Sequence, residues 1–128
     1  MRLVFRLAAA LVAASAAPSL ACTCRCNADA ATFVQNVPIF FRGRPVAESA
    51  DSQGRRYTFE VIAVHKGAAP ARVSVMTALH SASCGATFSI GEEVLVGAYP
   101  GARGLSANSC TQFCIGQKRA EVERLLAR

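Results

Sequence analysis

Residues 57–77 read YTFEVIAVHKGAAPARVSVMT, and this stretch decides the fold class. In 57–65 and again in 72–77, apolar side chains alternate with polar ones. Successive side chains of an extended chain point to opposite faces, so each run predicts a strand with one buried face. The predicted buried faces carry Tyr57, Phe59, Val61 and Ala63, then Val73, Val75 and Thr77. Residues 66–70 contain glycine and proline and predict a loop.

Further short extended runs lie on both sides of this stretch. With the two above, the predicted strands are 39–48, 57–65, 72–77, 94–99 and 105–110. A turn is predicted at 51–54, where a glycine supplies the backbone conformation that other residues rarely adopt. Short strands separated by glycine and proline turns are typical of an all-β sandwich or barrel.

Helical periodicity occurs near both ends of the predicted domain. A short helix is predicted over 27–37, with Asn27 as its N-cap. A terminal amphipathic helix is predicted over 117–128, and its apolar stripe consists of Val122, Leu125 and Leu126. Five short strands and a terminal helix favour a five-stranded Greek-key barrel of the OB type.

The first 21 residues have the features of a secretory signal. Two arginines precede an eleven-residue apolar run, and Ser19 and Ala21 are the small residues expected before a cut at Cys22. A lipoprotein signal is the alternative, because a cysteine follows the cut. It ranks second, since lipoprotein signals usually carry leucine where Ser19 stands. The expected location is secreted or periplasmic, with a lipid anchor on Cys22 as the less favoured option.

Length and charge set further bounds. The chain has 128 residues, 52% of them hydrophobic, and a formal charge of +6. Removing the 21 signal residues, with their two arginines and no acid, leaves 107 residues and a charge of +4. That length suffices for one small domain, residues 22–128. No apolar run reaches the roughly 18 residues that a transmembrane helix needs, so none is expected.

Six cysteines follow the predicted cut: Cys22, Cys24, Cys26, Cys84, Cys110 and Cys114. An even number behind a secretory signal predicts disulfides formed in an oxidising compartment. Residues two apart in an extended chain face opposite ways, so each N-terminal cysteine is expected to pair with a distant one. Spacing does not choose among the distant partners. The alternative for Cys-x-Cys-x-Cys is a soft-metal site, which is disfavoured because disulfide sulfurs are not thiolates.

No residue set predicts an enzyme. His65 and His80 are the only histidines, and neither has a neighbouring nucleophile and orienting acid, so both are interpreted as solvated or loop residues. The carboxylates of Glu92 and Glu93 would point to opposite faces of an extended chain.

The net positive charge of residues 22–128 could favour a polyanionic partner. Arg42, Arg44, Arg55 and Arg56 are the candidate contacts. Aromatic residues for stacking on bases are sparse, so no nucleic-acid partner is expected and these arginines are interpreted as a solvated face.

Several short motifs span residues 22–128: Cys22-Thr23-Cys24, residues 59–61, 64–67, 83–85 (Ser-Cys-Gly), Phe88, 91–96 and Cys110. Together they resemble the tissue inhibitors of metalloproteinases and the netrin-like domain of that family. The resemblance implies an OB-type barrel held by disulfides Cys22–Cys84, Cys24–Cys110 and Cys26–Cys114.

The resemblance also implies a function without any resident cofactor. In such inhibitors the N-terminal amine and first carbonyl oxygen chelate the zinc ion of the target protease, and here both atoms belong to Cys22. Thr23 would point to the specificity pocket, and Ala82 and Ser83 would form a second contact segment beside Cys24. The predicted function is secreted inhibition of zinc metalloproteases. The alternative is a non-inhibitory extracellular or periplasmic interaction module, lipid-anchored at Cys22.

Overall fold

The computed structural model describes residues 22–128, and the predicted signal segment 1–21 lies outside the described residues. Within them the chain forms α1 (Ala30–Asn36), β1 (Ile39–Asp51), β2 (Gly54–Lys66), β3 (Arg72–Thr77), β4 (Val94–Gly101), β5 (Gly104–Ser106), α2 (Ser109–Gln117) and α3 (Arg119–Leu126). A short 3₁₀ turn, Ser81–Ser83, lies between β3 and β4.

The five strands form one closed, mixed sheet. Their order is β1-β2-β3-β5-β4, and β4 pairs back onto β1. Neighbouring strands are antiparallel except for β3 and β5, which run parallel. The prediction of a mainly β domain with five strands is confirmed.

The alternating residues of β2 and β3 fill the inside of the closed sheet. Tyr57, Phe59 and Val75 are fully buried there. Phe88, from the segment before β4, meets Tyr57 and Phe59 edge to face, with ring centroids 5.1 Å apart in both pairs. Edge-to-face packing suits the ring quadrupoles and adds to the apolar burial. The predicted inward faces of 57–65 and 72–77 therefore build the interior core, although Val61 and Ala63 at the end of β2 are only half-buried.

A second core lies between the outer face of the sheet and the helices. Phe40 of β1 and Leu95 of β4 point outward into it, whereas Phe41 and Val96 point inward. Both faces of these two strands are covered, which explains why their sequences are continuously apolar. The helices contribute Ala30, Phe33, Val34, Ile115, Val122, Leu125 and Leu126. The predicted stripe of the terminal helix thus packs against the sheet.

The first helix is shorter than predicted and begins at a different cap. α1 starts at Ala30, and the carboxylate of Asp29, not the side chain of Asn27, accepts the N–H of Thr32 at 2.7 Å. This bond holds the pKa of Asp29 below its ordinary value, since the ionised carboxylate is the better acceptor. Both residues are good cap formers, and Cys26 is already tied elsewhere, which leaves Asn27 outside the helix.

The C-terminal region differs more from the prediction. The strand expected over 105–110 ends at Ser106, and α2 then begins at Ser109. Asn108 is the cause, because its side-chain oxygen accepts the N–H of Thr111 at 2.8 Å and starts the helix. A single helix was expected over 117–128. In the structure Gln117 is the last residue of α2, Lys118 separates the two helices, and α3 covers only Arg119–Leu126.

Candidate functional site

The N-terminal segment, residues 22–26, is an irregular stretch that lies against the domain. Its three cysteines are half-buried, whereas Thr23 and Arg25 between them are exposed. This alternation is what an extended chain produces when one face is held against a protein surface. The cysteine face is turned inward and the Thr23 face outward.

Three disulfides fix this face: Cys22–Cys84, Cys24–Cys110 and Cys26–Cys114, with Cα atoms 5.2, 5.0 and 5.5 Å apart. They are the pairs that the family resemblance implies. Every cysteine of the described chain is bonded. Three disulfides in so short a domain are typical of proteins that fold in an oxidising compartment.

Two of the bonds join the segment to one face of α2. Cys24 and Cys26 are two residues apart in an extended chain, a distance of about 6.6 Å. Cys110 and Cys114 are four residues apart on a helix, a rise of about 6 Å. Because the two spacings match, the segment runs along the helix and places one disulfide on each turn. The sequence missed this match because it predicted residue 110 in a strand.

The remaining bond joins Cys22 to the loop after β3. Cys84 has a left-handed backbone, with φ of 63°, and ends the 3₁₀ turn. Its carbonyl oxygen accepts the N–H of Ser109 at 2.8 Å, so the loop is also fastened to the start of α2. Ala82 and Ser83 are exposed just before Cys84. The structure therefore brings Cys22, Cys24 and the predicted second contact segment to one edge of the molecule.

We call residues 22–24 together with Ala82 and Ser83 the N-terminal edge. The sulfur of Cys22 lies 3.4 Å from the sulfur of Cys110, so the first two disulfides touch each other. The sulfurs of Cys22, Cys24 and Cys110 all lie within 4.8 Å of one another. In the oxidised protein each is covalently bonded to another sulfur and carries no thiolate charge for a metal ion.

A small cleft lies next to this edge. It has a volume of about 190 Å³, and Arg25, Phe33 and Lys118 line it together with the third disulfide. The lining of the cleft thus combines two cationic side chains with an aromatic ring and a disulfide. The arginine side chain is exposed and the lysine half-buried.

The other residues singled out in the sequence lie away from one another. His80 is exposed, as expected, but the Nε2 atom of His65 is buried and has no hydrogen-bond partner among the described residues 22–128. His65 is half-buried on a strand, so its interpretation as a solvated or loop residue is wrong. His65 lies on β2, where α3 covers it: Glu123 and Leu126 line the same small cavity. The sequence pattern placed His65 at a strand end and could not foresee that cover.

The candidate arginines are largely paired. Arg42 and Arg44 contact the carboxylate of Glu93 at 3.6 and 3.4 Å, and Arg55 pairs with Glu48. The bond to Glu48 raises the pKa of Arg55, because a carboxylate stabilises the charged guanidinium. These pairs are surface ion pairs and reduce the positive field that a polyanion would meet.

No family model matches the chain, and a search of curated proteins finds no match. In the part of the chain that the structure describes, no helix is long and apolar enough to cross a membrane.

Proposed function

We propose that the exported protein begins at Cys22 and inhibits zinc metalloproteases. The α-amino nitrogen and carbonyl oxygen of Cys22 would chelate the catalytic zinc ion of the target. A catalytic zinc keeps one coordination position open for the water that attacks the substrate. A ligand that fills this position and displaces the water stops the reaction.

The observation that carries the proposal is the double anchoring of the N-terminal edge. Cys22 and Cys24 are both bonded to the domain, and the exposed Thr23 lies between them. A chain end that is already fixed loses little conformational entropy on binding, so more of the contact energy becomes affinity. Both proposed chelating atoms belong to Cys22, so the disulfide to Cys84 restricts the movement of both.

The chemistry of the chain end fits neutral pH. A free α-amino group has a pKa of about 8, so removing its proton at pH 7 costs about 1.4 kcal/mol. Nitrogen and carbonyl oxygen of one residue form a five-membered chelate ring with a metal ion. Thr23 would enter the pocket beside the zinc, and Ala82 and Ser83 would contact the enzyme next to it.

We also propose that the closed sheet is an OB-type, netrin-like barrel. The order β1-β2-β3-β5-β4, with one parallel pair between β3 and β5, supports it. In this proposal residues 22–128 form the mature domain, and the protein is secreted or periplasmic. The three disulfides support an oxidising location.

The alternative is an interaction module anchored to lipid at Cys22. It requires the sulfur and the amine of Cys22 to be modified, whereas the inhibitor requires a disulfide and a free amine there. Lipidation consumes the sulfur in a thioether and the amine in an amide. A lipidated Cys22 could form neither the bond to Cys84 nor a zinc chelate. The disulfide at Cys22 favours the inhibitor.

Two measurements test the proposal. Mass analysis of the exported protein should give a chain that starts at Cys22, carries no lipid and is six hydrogen atoms lighter than its reduced form. The protein should then inhibit members of a panel of secreted zinc endopeptidases. One alanine added before Cys22 should abolish inhibition, because the chelating nitrogen becomes an amide nitrogen with no lone pair to donate.

The matched control carries the extra alanine after Arg128, at the other end of the chain, and should inhibit like the unmodified protein. Equal potency of the two extended forms would reject chelation through Cys22. Inactivity of all three forms, with the fold intact, would favour the interaction module.

A further inference from the structure

Four cysteine sulfurs converge at the N-terminal edge. Those of Cys22, Cys24 and Cys110 lie within 4.8 Å of one another, and the sulfur of Cys84 is bonded to that of Cys22. The shortest contact between the two disulfides is 3.4 Å, from Cys22 to Cys110. All four residues are half-buried, so the cluster is shielded from solvent but reachable by a small reagent.

The spacing of the Cys22, Cys24 and Cys110 sulfurs is close to that of thiolates around one metal ion, and Cys84 would be the fourth ligand through its place beside Cys22. In a tetrahedral zinc site with bonds of about 2.3 Å, the sulfurs lie roughly 3.8 Å apart. Opening a disulfide moves its sulfurs from bonding distance towards this value. Cys110 is the second residue of α2, and the partial positive charge of a helix N-terminus favours the thiolate form.

We propose that the reduced form of this cluster binds one zinc-class metal ion through Cys22, Cys24, Cys84 and Cys110. Each of the two disulfides takes up two electrons and two protons from a dithiol reductant, which becomes a disulfide. The four thiols then release their protons to solvent as the metal binds. The proposal goes beyond protease inhibition and does not depend on it, since here the metal binds to the protein's own sulfurs.

The third disulfide would hold the cluster together after reduction of the other two. Of its two residues, Cys114 is buried, with 6% of its surface exposed, whereas Cys26 is half-buried like Cys22, Cys84 and Cys110. While Cys26 remains bonded to Cys114, the N-terminal segment stays beside α2. The four thiolates are then held near one another without the bonds that they replace.

The first experiment uses the exported protein without substitution. It is reduced under anaerobic conditions with a dithiol, supplied with one equivalent of Zn²⁺, and treated with an alkylating reagent. Peptide mass analysis should find cysteines 22, 24, 84 and 110 protected by zinc. Cysteines 26 and 114 should be either still bonded or alkylated. Protection of all six cysteines alike, or of none of the four, would overturn the proposal.

The second experiment measures affinity by titration with Co²⁺, whose thiolate charge-transfer absorption reports sulfur ligands. The reduced protein should bind one ion per chain. Loss of groups that merely orient a ligand weakens metal binding by about 10- to 100-fold, so loss of two ligands should do at least that. The variant Cys22→Ser/Cys84→Ser should therefore bind at least about tenfold more weakly.

The matched control, Cys26→Ser/Cys114→Ser, also lacks one disulfide but keeps all four proposed ligands. It loses the bond that keeps the segment beside α2, so its affinity should fall less than that of Cys22→Ser/Cys84→Ser, while it still binds one Co²⁺ per chain with the absorption of the unmodified protein. Equal weakening in the two double variants would mean that the ion binds to a disordered set of thiols, which would refute a defined site.

Discussion

Lys66, at the end of β2, joins the sheet to the first helix. Its ammonium group donates hydrogen bonds to the carbonyl oxygens of Val34, Gln35 and Val37, at 2.7, 3.0 and 2.8 Å. The last carbonyl groups of a helix have no partner within the helix, and the helix dipole makes this end negative. A single cation therefore satisfies the C-terminal end of α1 and fixes its position.

Replacing Lys66 with methionine tests this role. The variant keeps the apolar stem and loses the ammonium, so about 2 kcal/mol of the free energy of unfolding should be lost. Urea denaturation measures the loss. Arg103→Met, in the exposed turn between β4 and β5, removes a positive charge without this contact and should change stability by less than about 0.5 kcal/mol. Equal effects of the two substitutions would show that only net charge matters.

Asp29 gives a prediction about pH. Its bond to the N–H of Thr32 holds its pKa below the ordinary value in the folded state. A carboxylate with a lowered pKa stabilises the fold above its unfolded pKa, and this contribution disappears as the pH falls through the folded value. Asp29→Asn keeps a cap acceptor but does not titrate. The stability difference between the two proteins should therefore vary with pH in the acid range and be constant near neutrality. A difference independent of acid pH would contradict the assignment.

At the scale of elements, the contact between α2 and β4 depends on one glycine. A Cβ atom on Gly97 would lie 2.6 Å from the Cγ2 of Thr111 and 3.2 Å from the Cδ1 of Ile115. The Gln112 side chain bridges the same two elements, accepting the N–H of Gly97 and donating to the carbonyl oxygen of Leu95. The helix can approach the strand this closely only because no side chain intervenes.

Gly97→Ala should therefore destabilise the protein by about 1–3 kcal/mol, the usual cost of overpacking. The control is Gly116→Ala on α2 itself, where a Cβ would meet nothing within 4 Å. There the better helix propensity of alanine should raise stability by about 0.5 kcal/mol or more. Chemical denaturation of both variants gives the comparison. If both substitutions stabilised the protein, α2 could not be pressed against β4 as described.

The elements differ in how far the sequence could predict them. Strand β3 was predicted with its correct ends, because its alternation is uninterrupted. Helix α2 was missed, because its buried face carries Thr111 and Cys114 and its largest apolar side chain, Phe113, is half exposed. Its cap, Asn108, is a signal in the sequence that could have found it, but the prediction placed residues 105–110 in a strand. A helix that is held by disulfides and a glycine contact needs little amphipathic pattern of its own.

At the scale of the whole molecule, the candidate site could be predicted only in part. The sequence indicated that the N-terminal cysteines pair with distant ones, because neighbours in an extended chain diverge. Spacing could not choose the partners, since the choice depends on where the loop at Cys84 and helix α2 meet. The hydrogen bond from the Ser109 N–H to the Cys84 carbonyl oxygen joins those two regions, and no local sequence pattern predicts it.

The three disulfides should not stabilise the molecule additively. Each closes a long loop by itself, with partners separated by 62, 86 and 88 positions in the sequence. In the presence of Cys24–Cys110, however, Cys26–Cys114 closes a ring of only eight residues, three around Cys24–Cys26 and five around Cys110–Cys114. When Cys24–Cys110 is absent, Cys26–Cys114 instead closes a ring through Cys22–Cys84. That ring holds 36 residues, five in 22–26 and 31 in 84–114. Loop-closure entropy depends on ring size, so each bond is worth more when its neighbour is absent.

A double-mutant cycle with paired cysteine-to-alanine substitutions measures this coupling. In the chain-entropy relation, removing Cys26–Cys114 from the intact protein costs about 2.5 kcal/mol. Removing it from a protein that already lacks Cys24–Cys110 costs about 3.8 kcal/mol. The packing change at Cys114 is the same in both backgrounds and cancels, so urea denaturation should return a coupling of about 1.3 kcal/mol. Identical costs in the two backgrounds would mean that the disulfides act through native contacts rather than by restricting the unfolded chain.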